Sequence, residues 1–167
     1  MRRLSASVEL AIPPDALWTS VCRLDGVNHE LAPILRMTAP RGLRSATIDE
    51  IVVGEPAGRS WLLLGGLIPV DYDDLTIVEL EPPRRFLERS TMLTMAVWEH
   101  ERIVDPLGGD SVLTDRLGFE LRPLLRSIPG VDRLAAGIVG ALFRHRHRRL
   151  AKLHGHPRSH RGETTAR

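Results

Sequence analysis

The sequence of 167 residues has one cysteine, Cys22, seven aromatic residues, and one lysine, Lys152, among its 23 Lys and Arg. A single thiol excludes an internal disulfide framework and a cysteine-based zinc cluster, which makes a cytoplasmic setting the expectation. With 4% aromatics the chain is poorly supplied for stacking single-stranded nucleic acid. Long apolar runs are missing too. The longest, residues 61–70, contains Gly65, Gly66 and Pro69 and is half the length of a bilayer-spanning helix. Near the start, Arg2 and Arg3 precede no apolar core because Glu9 interrupts it, so no secretory signal is expected. Glycine-rich phosphate loops and the nucleophile elbow are absent. His29-Glu30 lacks the second histidine of a metalloprotease helix. No metal site and no cofactor are expected.

What remains is an ordinary globular composition, 43% hydrophobic and 26% charged, in a length that suits one domain burying about two-thirds of its unfolded surface. The net charge of +2 is unevenly placed. From Arg144 onward there are seven arginines, Lys152 and one acid, Glu163, a net +7; the preceding body carries −5. Residues 156–167 have no apolar side chain larger than alanine or proline and are expected to be a disordered basic tail behind a domain of residues 1–155. The scarcity of lysine suggests the coding bias of a high-GC, bacterial genome.

Leu4, Ala6, Val8, Leu10 and Ile12 alternate with mostly polar neighbours, the pattern of a half-covered strand. Pro13-Pro14-Asp15 stops it and opens a helix over 15–23; Asp25-Gly26 breaks that helix, and 27–31 forms a second short one. Strands are expected at 45–53, 59–67, 74–80, 86–93, 97–105 and 111–121, most of them separated by Gly/Pro/Asp turns such as Pro69-Val70-Asp71. From Gly130 the period changes. Val131, Leu134, Ala135, Ile138, Val139, Leu142, Phe143, Leu150 and Leu153 form one apolar stripe of a long helix ending near Gly155. A seven-stranded antiparallel sheet cannot bury its apolar face alone, and only this helix is long enough to cover it.

This order resembles the START-like superfamily, also called SRPBCC, polyketide cyclase/dehydrase-like or helix-grip. The resemblance rests on Ile12-Pro13-Pro14-Asp15-Ala16-Leu17-Trp18 after the first strand and on Trp98-Glu99-His100-Glu101-Arg102. It rests further on the segment from Leu113 to Pro123 and on Phe143-Arg144-His145-Arg146 with Leu150 in the last helix. It implies an α+β fold in which a curved seven-stranded antiparallel sheet wraps the C-terminal helix, two short helices follow the first strand, and a ligand cavity lies between sheet and helix. It further implies that His29 and Glu30 lie near the cavity entrance; a solvated helix end is the alternative.

If the late hairpin turns about Leu107-Gly108, His100 opposes Asp115, Trp98 opposes Leu117, Arg102 opposes Leu113 and Glu99 opposes Arg116. His100 and Asp115 then form a polar pair on an apolar face, either a general base or a pair that only satisfies its own burial. Trp61, Tyr72, Trp98, Met37, Met92 and Met95 suit a pocket wall or an ordinary core. Gly137 and Gly140 each cost the helix about 1 kcal/mol against alanine, which close approach of the sheet or a neighbouring cavity would explain. Gly65-Gly66 marks a bulge or a bend in a strand where the sheet curls around the helix. The candidate ligand-binding residues are therefore Trp98, His100, Arg102, Asp115, Trp61, His29, Glu30, Gly137 and Gly140, with His100 and Asp115 as catalytic candidates.

His145 and His147, like His154 and His156, are spaced by two, which on a helix points them apart. The expected partner is a small hydrophobic ligand such as a lipid or polyketide, bound and carried, by a monomer or homodimer. Nucleic acid is not expected, and contact with an anionic surface through the tail would be weak. A cyclase or dehydratase using the His–Asp pair is the alternative, and an interaction module acting through the basic tail is the second alternative.

Overall fold

The first strand, β1 (Arg2–Leu10), turns Leu4, Ala6, Val8 and Leu10 inward and leaves Arg3, Ser5, Ser7 and Glu9 exposed. The computed structural model describes residues 1–40, 43, 48 and 51–157. Helix α1 (Pro14–Val21) starts on a proline with Asp15 in its first turn and buries Leu17, Trp18 and Val21. The chain breaks at Cys22 and Arg23, whereas Asp25 and Gly26 lie inside α2 (Leu24–Leu31). Glycine is required there for a different reason: a Cβ on Gly26 would stand 1.8 Å from the Ser20 carbonyl oxygen, where α2 meets the end of α1.

A three-residue strand, β2 (Leu35–Met37), follows; it carries too little pattern to be foreseen. Asn28 pins it by accepting from the Met37 N–H at 2.7 Å and donating to the Met37 carbonyl at 2.9 Å. The strand expected at 45–53 falls largely outside the described residues, and residues 51–53 are not in a strand. Strands β3 (Pro56–Leu64) and β4 (Ile68–Glu81) are joined by Gly65-Gly66-Leu67. The two glycines, at φ +58° and +79°, make a turn that other residues would strain to form, not the bulge or bend expected within a strand. Pro69-Val70-Asp71, read as a turn, belongs to β4, where an irregularity opposite Leu62 and Leu63 accommodates the proline. The sheet continues with β5 (Arg85–Met92), β6 (Met95–Leu107) and β7 (Asp110–Leu121).

These seven strands form one antiparallel sheet in the order β1-β7-β6-β5-β4-β3-β2. After the short α3 (Pro123–Arg126), the long helix α4 (Val131–His154) runs across the concave side between Gly130 and Gly155. Two apolar clusters hold the assembly together. One joins Leu10, Leu17, Trp18, Ile77, Phe86, Val104, Leu113 and Leu150; the other joins Met92, Met95, Trp98, Leu117, Phe119, Leu121, Val139 and Phe143. This is the α+β helix-grip arrangement.

The late hairpin turns on Gly108-Gly109, one residue later than Leu107-Gly108, so every expected pairing moves by two. Arg102 opposes Asp115, His100 opposes Leu117, Trp98 opposes Phe119, and Glu101 replaces Glu99 opposite Arg116. Pro106 and Leu107 still pair within the strands, and only the two glycines are left to turn. Because side chains alternate with a period of two, a slip of two leaves each residue on its expected face. The basic tail from residue 158 onward lies outside the described residues.

Candidate functional site

The concave side of β3 to β6 and the first half of α4 enclose a cavity of about 810 Å³. Alternation along the strands builds its wall: Ser60, Leu62 and Leu64 from β3, Asp73, Leu75 and Ile77 from β4, Phe86, Glu88 and Met92 from β5, Trp98, His100 and Arg102 from β6. The opposite wall comes from α4, with Val131, Ala135, Val139 and Phe143. Ile34, Leu64, Val70, Leu134 and Ile138 line the cavity yet remain at least 41% exposed, so they form an apolar mouth. Leu134 and Ile138 thus use the helix stripe to face the opening; they do not join the core.

Behind the wall lies a closed charge network. Asp115, fully buried on β7, accepts from Arg102 Nε (2.8 Å) and Nη2 (3.0 Å), His100 Nε2 (2.8 Å) and His147 Nε2 (2.7 Å). Glu30, fully buried at the end of α2, accepts from both Nη atoms of Arg102 at 2.9 Å and from Arg146 Nε at 2.9 Å, and forms an ion pair with Arg146, whose Nη2 lies 2.8 Å away. Burial by itself would raise both carboxyls. The charge of Arg102, joined by Arg146 at Glu30 and by the two histidine hydrogen bonds at Asp115, instead holds Glu30 below and Asp115 well below the usual range. Burial likewise works against the Arg102 guanidinium, and Asp115 and Glu30 outweigh it. The ionised Asp115 can only accept, so Nε2 of both histidines carries the proton. His100 Nδ1 then points toward Glu88 Oε2, 3.6 Å away.

A second polar group sits in the wall itself. Ser90 Oγ donates to Glu88 Oε1 at 2.8 Å. Asp73 is held well above the ordinary carboxyl range, first by burial and then by the charge of Glu88. Ser60 and Asp73 face each other across β3 and β4, and Ser60 Oγ and Asp73 Oδ1 have no hydrogen-bond partner among the described residues.

The structure therefore brings Trp98, His100 and Arg102 to the cavity, with Asp115 and Glu30 directly behind them. It places the other candidates elsewhere. Trp61 is on the convex face against Tyr72, ring centroids 5.7 Å apart. His29 is exposed, and its carbonyl accepts from Arg149 at 3.3 Å. Neither Gly137, which is exposed, nor Gly140, whose added Cβ would approach Arg144 and Leu4 of β1, lines the cavity. Asp115 is saturated by its four donors and does not line the cavity, which leaves it to orient His100.

Ser60, Asp73, Glu88, Arg146 and His147 were missed, although the pattern contained a signal. Asp73 is in phase with Leu75 and Ile77, and Glu88 with Phe86 and Met92. Arg146 and His147 follow Phe143 by three and four residues and precede Leu150 by four and three, on the buried stripe of the helix. They sit in the basic stretch that begins at Arg144, but both are buried.

Three solved structures of like fold are matched over most of their own length. Protein CV1439 of Chromobacterium violaceum is 14% identical over 94% of this chain and 100% of that one, with a TM-score of 0.67. The ZhuI aromatase/cyclase of Streptomyces sp. R1128 is 14% identical over 91% and 92%, TM-score 0.64. A START superfamily protein of Mycobacterium smegmatis is 16% identical over 90% and 98%, TM-score 0.60. At these identities the likeness is one of fold, and that fold is START/SRPBCC-like. No functionally curated protein matches the sequence. A family model does match, over residues 8–154, almost the whole of the sheet, the three short helices and all of α4; the chain belongs to the family described as a domain of unknown function (DUF8410).

Proposed function

We propose that this protein binds a small hydrophobic molecule between the sheet and α4. The observation that carries this reading is the cavity: about 810 Å³, within the range of small-molecule sites, walled mostly by apolar side chains and opening through an apolar mouth. The START-like and aromatase/cyclase neighbours share the fold and support a role of this kind. The wall is not needed for folding economy, since a packed core would leave no such void.

Native mass spectrometry of the purified protein should find a co-purified apolar molecule. Ala135→Trp, which places an indole in the cavity from α4, should lower uptake of an apolar fluorescent dye at least tenfold while circular dichroism stays native. Unchanged uptake overturns the reading. A cyclase- or dehydratase-type activity is the alternative, favoured by His100, whose Nε2 is fixed by Asp115 while its Nδ1 is turned to Glu88 of the wall. In that case the recovered molecule would include a form lighter by one water.

A further inference from the structure

Polar atoms are few in this cavity, and two of them have no partner among the described residues: Ser60 Oγ and Asp73 Oδ1. Ser60 is 0% and Asp73 5% exposed, so bulk water does not satisfy them. They are directly opposed across β3 and β4, where side chains lie about 5 Å apart at Cβ, and one small group can reach both. A buried polar atom without a partner is a standing penalty, and a ligand atom that pairs with it removes that penalty on binding. The wall next to them is acidic, with Glu88 facing the same space. The cationic groups nearby are already engaged, because Arg102 gives Nε and both Nη atoms to Glu30 and Asp115, and Arg146 gives Nε to Glu30 and is ion-paired with it. An anionic head group would therefore meet carboxyls and no uncompensated cation.

Building on the ligand-binding reading, we propose that Ser60 and Asp73 are the polar anchor of the cavity, and that it takes an uncharged apolar molecule through one carbonyl or hydroxyl oxygen. Two donors are at hand for that oxygen. The serine hydroxyl is one, and the Asp73 carboxyl, kept protonated first by burial and then by the charge of Glu88, is the other. The rest of the molecule lies against Leu62, Leu75, Met92 and Val139.

The full chain is titrated by calorimetry with four probes of one shape: acetylnaphthalene, ethylnaphthalene, naphthoate and naphthylethylamine. The ketone should bind about tenfold more tightly than the hydrocarbon, the difference one hydrogen bond makes, and naphthoate should bind more weakly than either. Asp73→Leu and Ser60→Ala should bring the ketone to the affinity of the hydrocarbon. Asp73→Asn keeps a neutral donor and should retain most of the preference. Equal binding of ketone and hydrocarbon by the unaltered protein overturns the anchor while leaving the cavity reading intact. So does a ketone affinity indifferent to Asp73→Leu, and so does tighter binding of naphthoate or the amine. Failure of the hydrocarbon and the ketone alike removes the cavity reading and the anchor with it.

Discussion

Arg102 donates through Nε and both Nη atoms to Glu30 and Asp115, so removing its guanidinium leaves two fully buried carboxylates short of their main cation. Arg102→Met should cost about 3–5 kcal/mol, read by urea denaturation, because the remaining charges stay buried without compensation. The carboxyls of this protein also give opposite dependences on pH. Glu30 and Asp115 are depressed in the folded state, so their contribution is complete above the ordinary carboxyl range and is lost as the pH falls from about 4 toward their folded values. Asp73 is raised. As the pH climbs above about 4 the unfolded chain ionises it while the fold keeps it protonated, so stability falls with rising pH. Asp73→Asn should therefore melt higher than the unaltered protein at neutral pH, with the gain shrinking toward pH about 4. The direction is that of a group retained at a cost to stability, as binding groups are.

At the scale of elements, three glycines in helices show how differently one residue type can be used. Gly26 lies where α2 meets α1, and an added methyl would collide with the backbone oxygen of Ser20. Gly137 faces open space on α4. Gly26→Ala should lose about 1–3 kcal/mol through overpacking. Gly137→Ala should gain about 1 kcal/mol from helix propensity, both read from thermal melts. Gly140 is an intermediate case, with Arg144 and Leu4 near its missing Cβ. Alternation and helical period made most elements legible: β1, α1, the strands from β3 to β7 and the 24-residue α4 stand close to where the pattern placed them. Boundaries were less legible where turn chemistry was ambiguous. Two chain-bending signals, Gly65-Gly66 and Pro69-Val70-Asp71, lie within seven residues, and only the cross-strand hydrogen bonds decide that the glycines turn and the proline is carried within β4. The same holds for the late hairpin, in which Pro106 pairs with Ser111.

For the molecule as a whole, the cavity couples ligand binding to stability. A molecule held only by the folded chain, at about a hundred times its Kd, should add about 2.7 kcal/mol to unfolding. Saturating ethylnaphthalene or an apolar dye should thus raise the melting temperature by several degrees, and Ala135→Trp should abolish most of that rise. The charge division of the sequence also acquires a different meaning at this scale. Arg146 belongs to the count of the basic C-terminal stretch and His147 lies within that stretch, yet in the fold Arg146 pairs with Glu30 of α2 and His147 hydrogen-bonds Asp115 of β7.

By itself the sequence determined the class of fold and the faces of its strands. Those follow from local periodicity, and a slip of two residues in the late hairpin left His100, Arg102 and Asp115 on one side. Only the tertiary structure decided which polar residues meet. Glu30 and Arg102 are 72 residues apart, Glu30 and Arg146 are 116 apart, and no periodic pattern records a contact at such separations. The curl of the sheet around α4 also decided which in-phase residues face a void and which face a packed core. That is why Ser60 and Asp73, each unremarked among strand residues, lie together on the cavity wall.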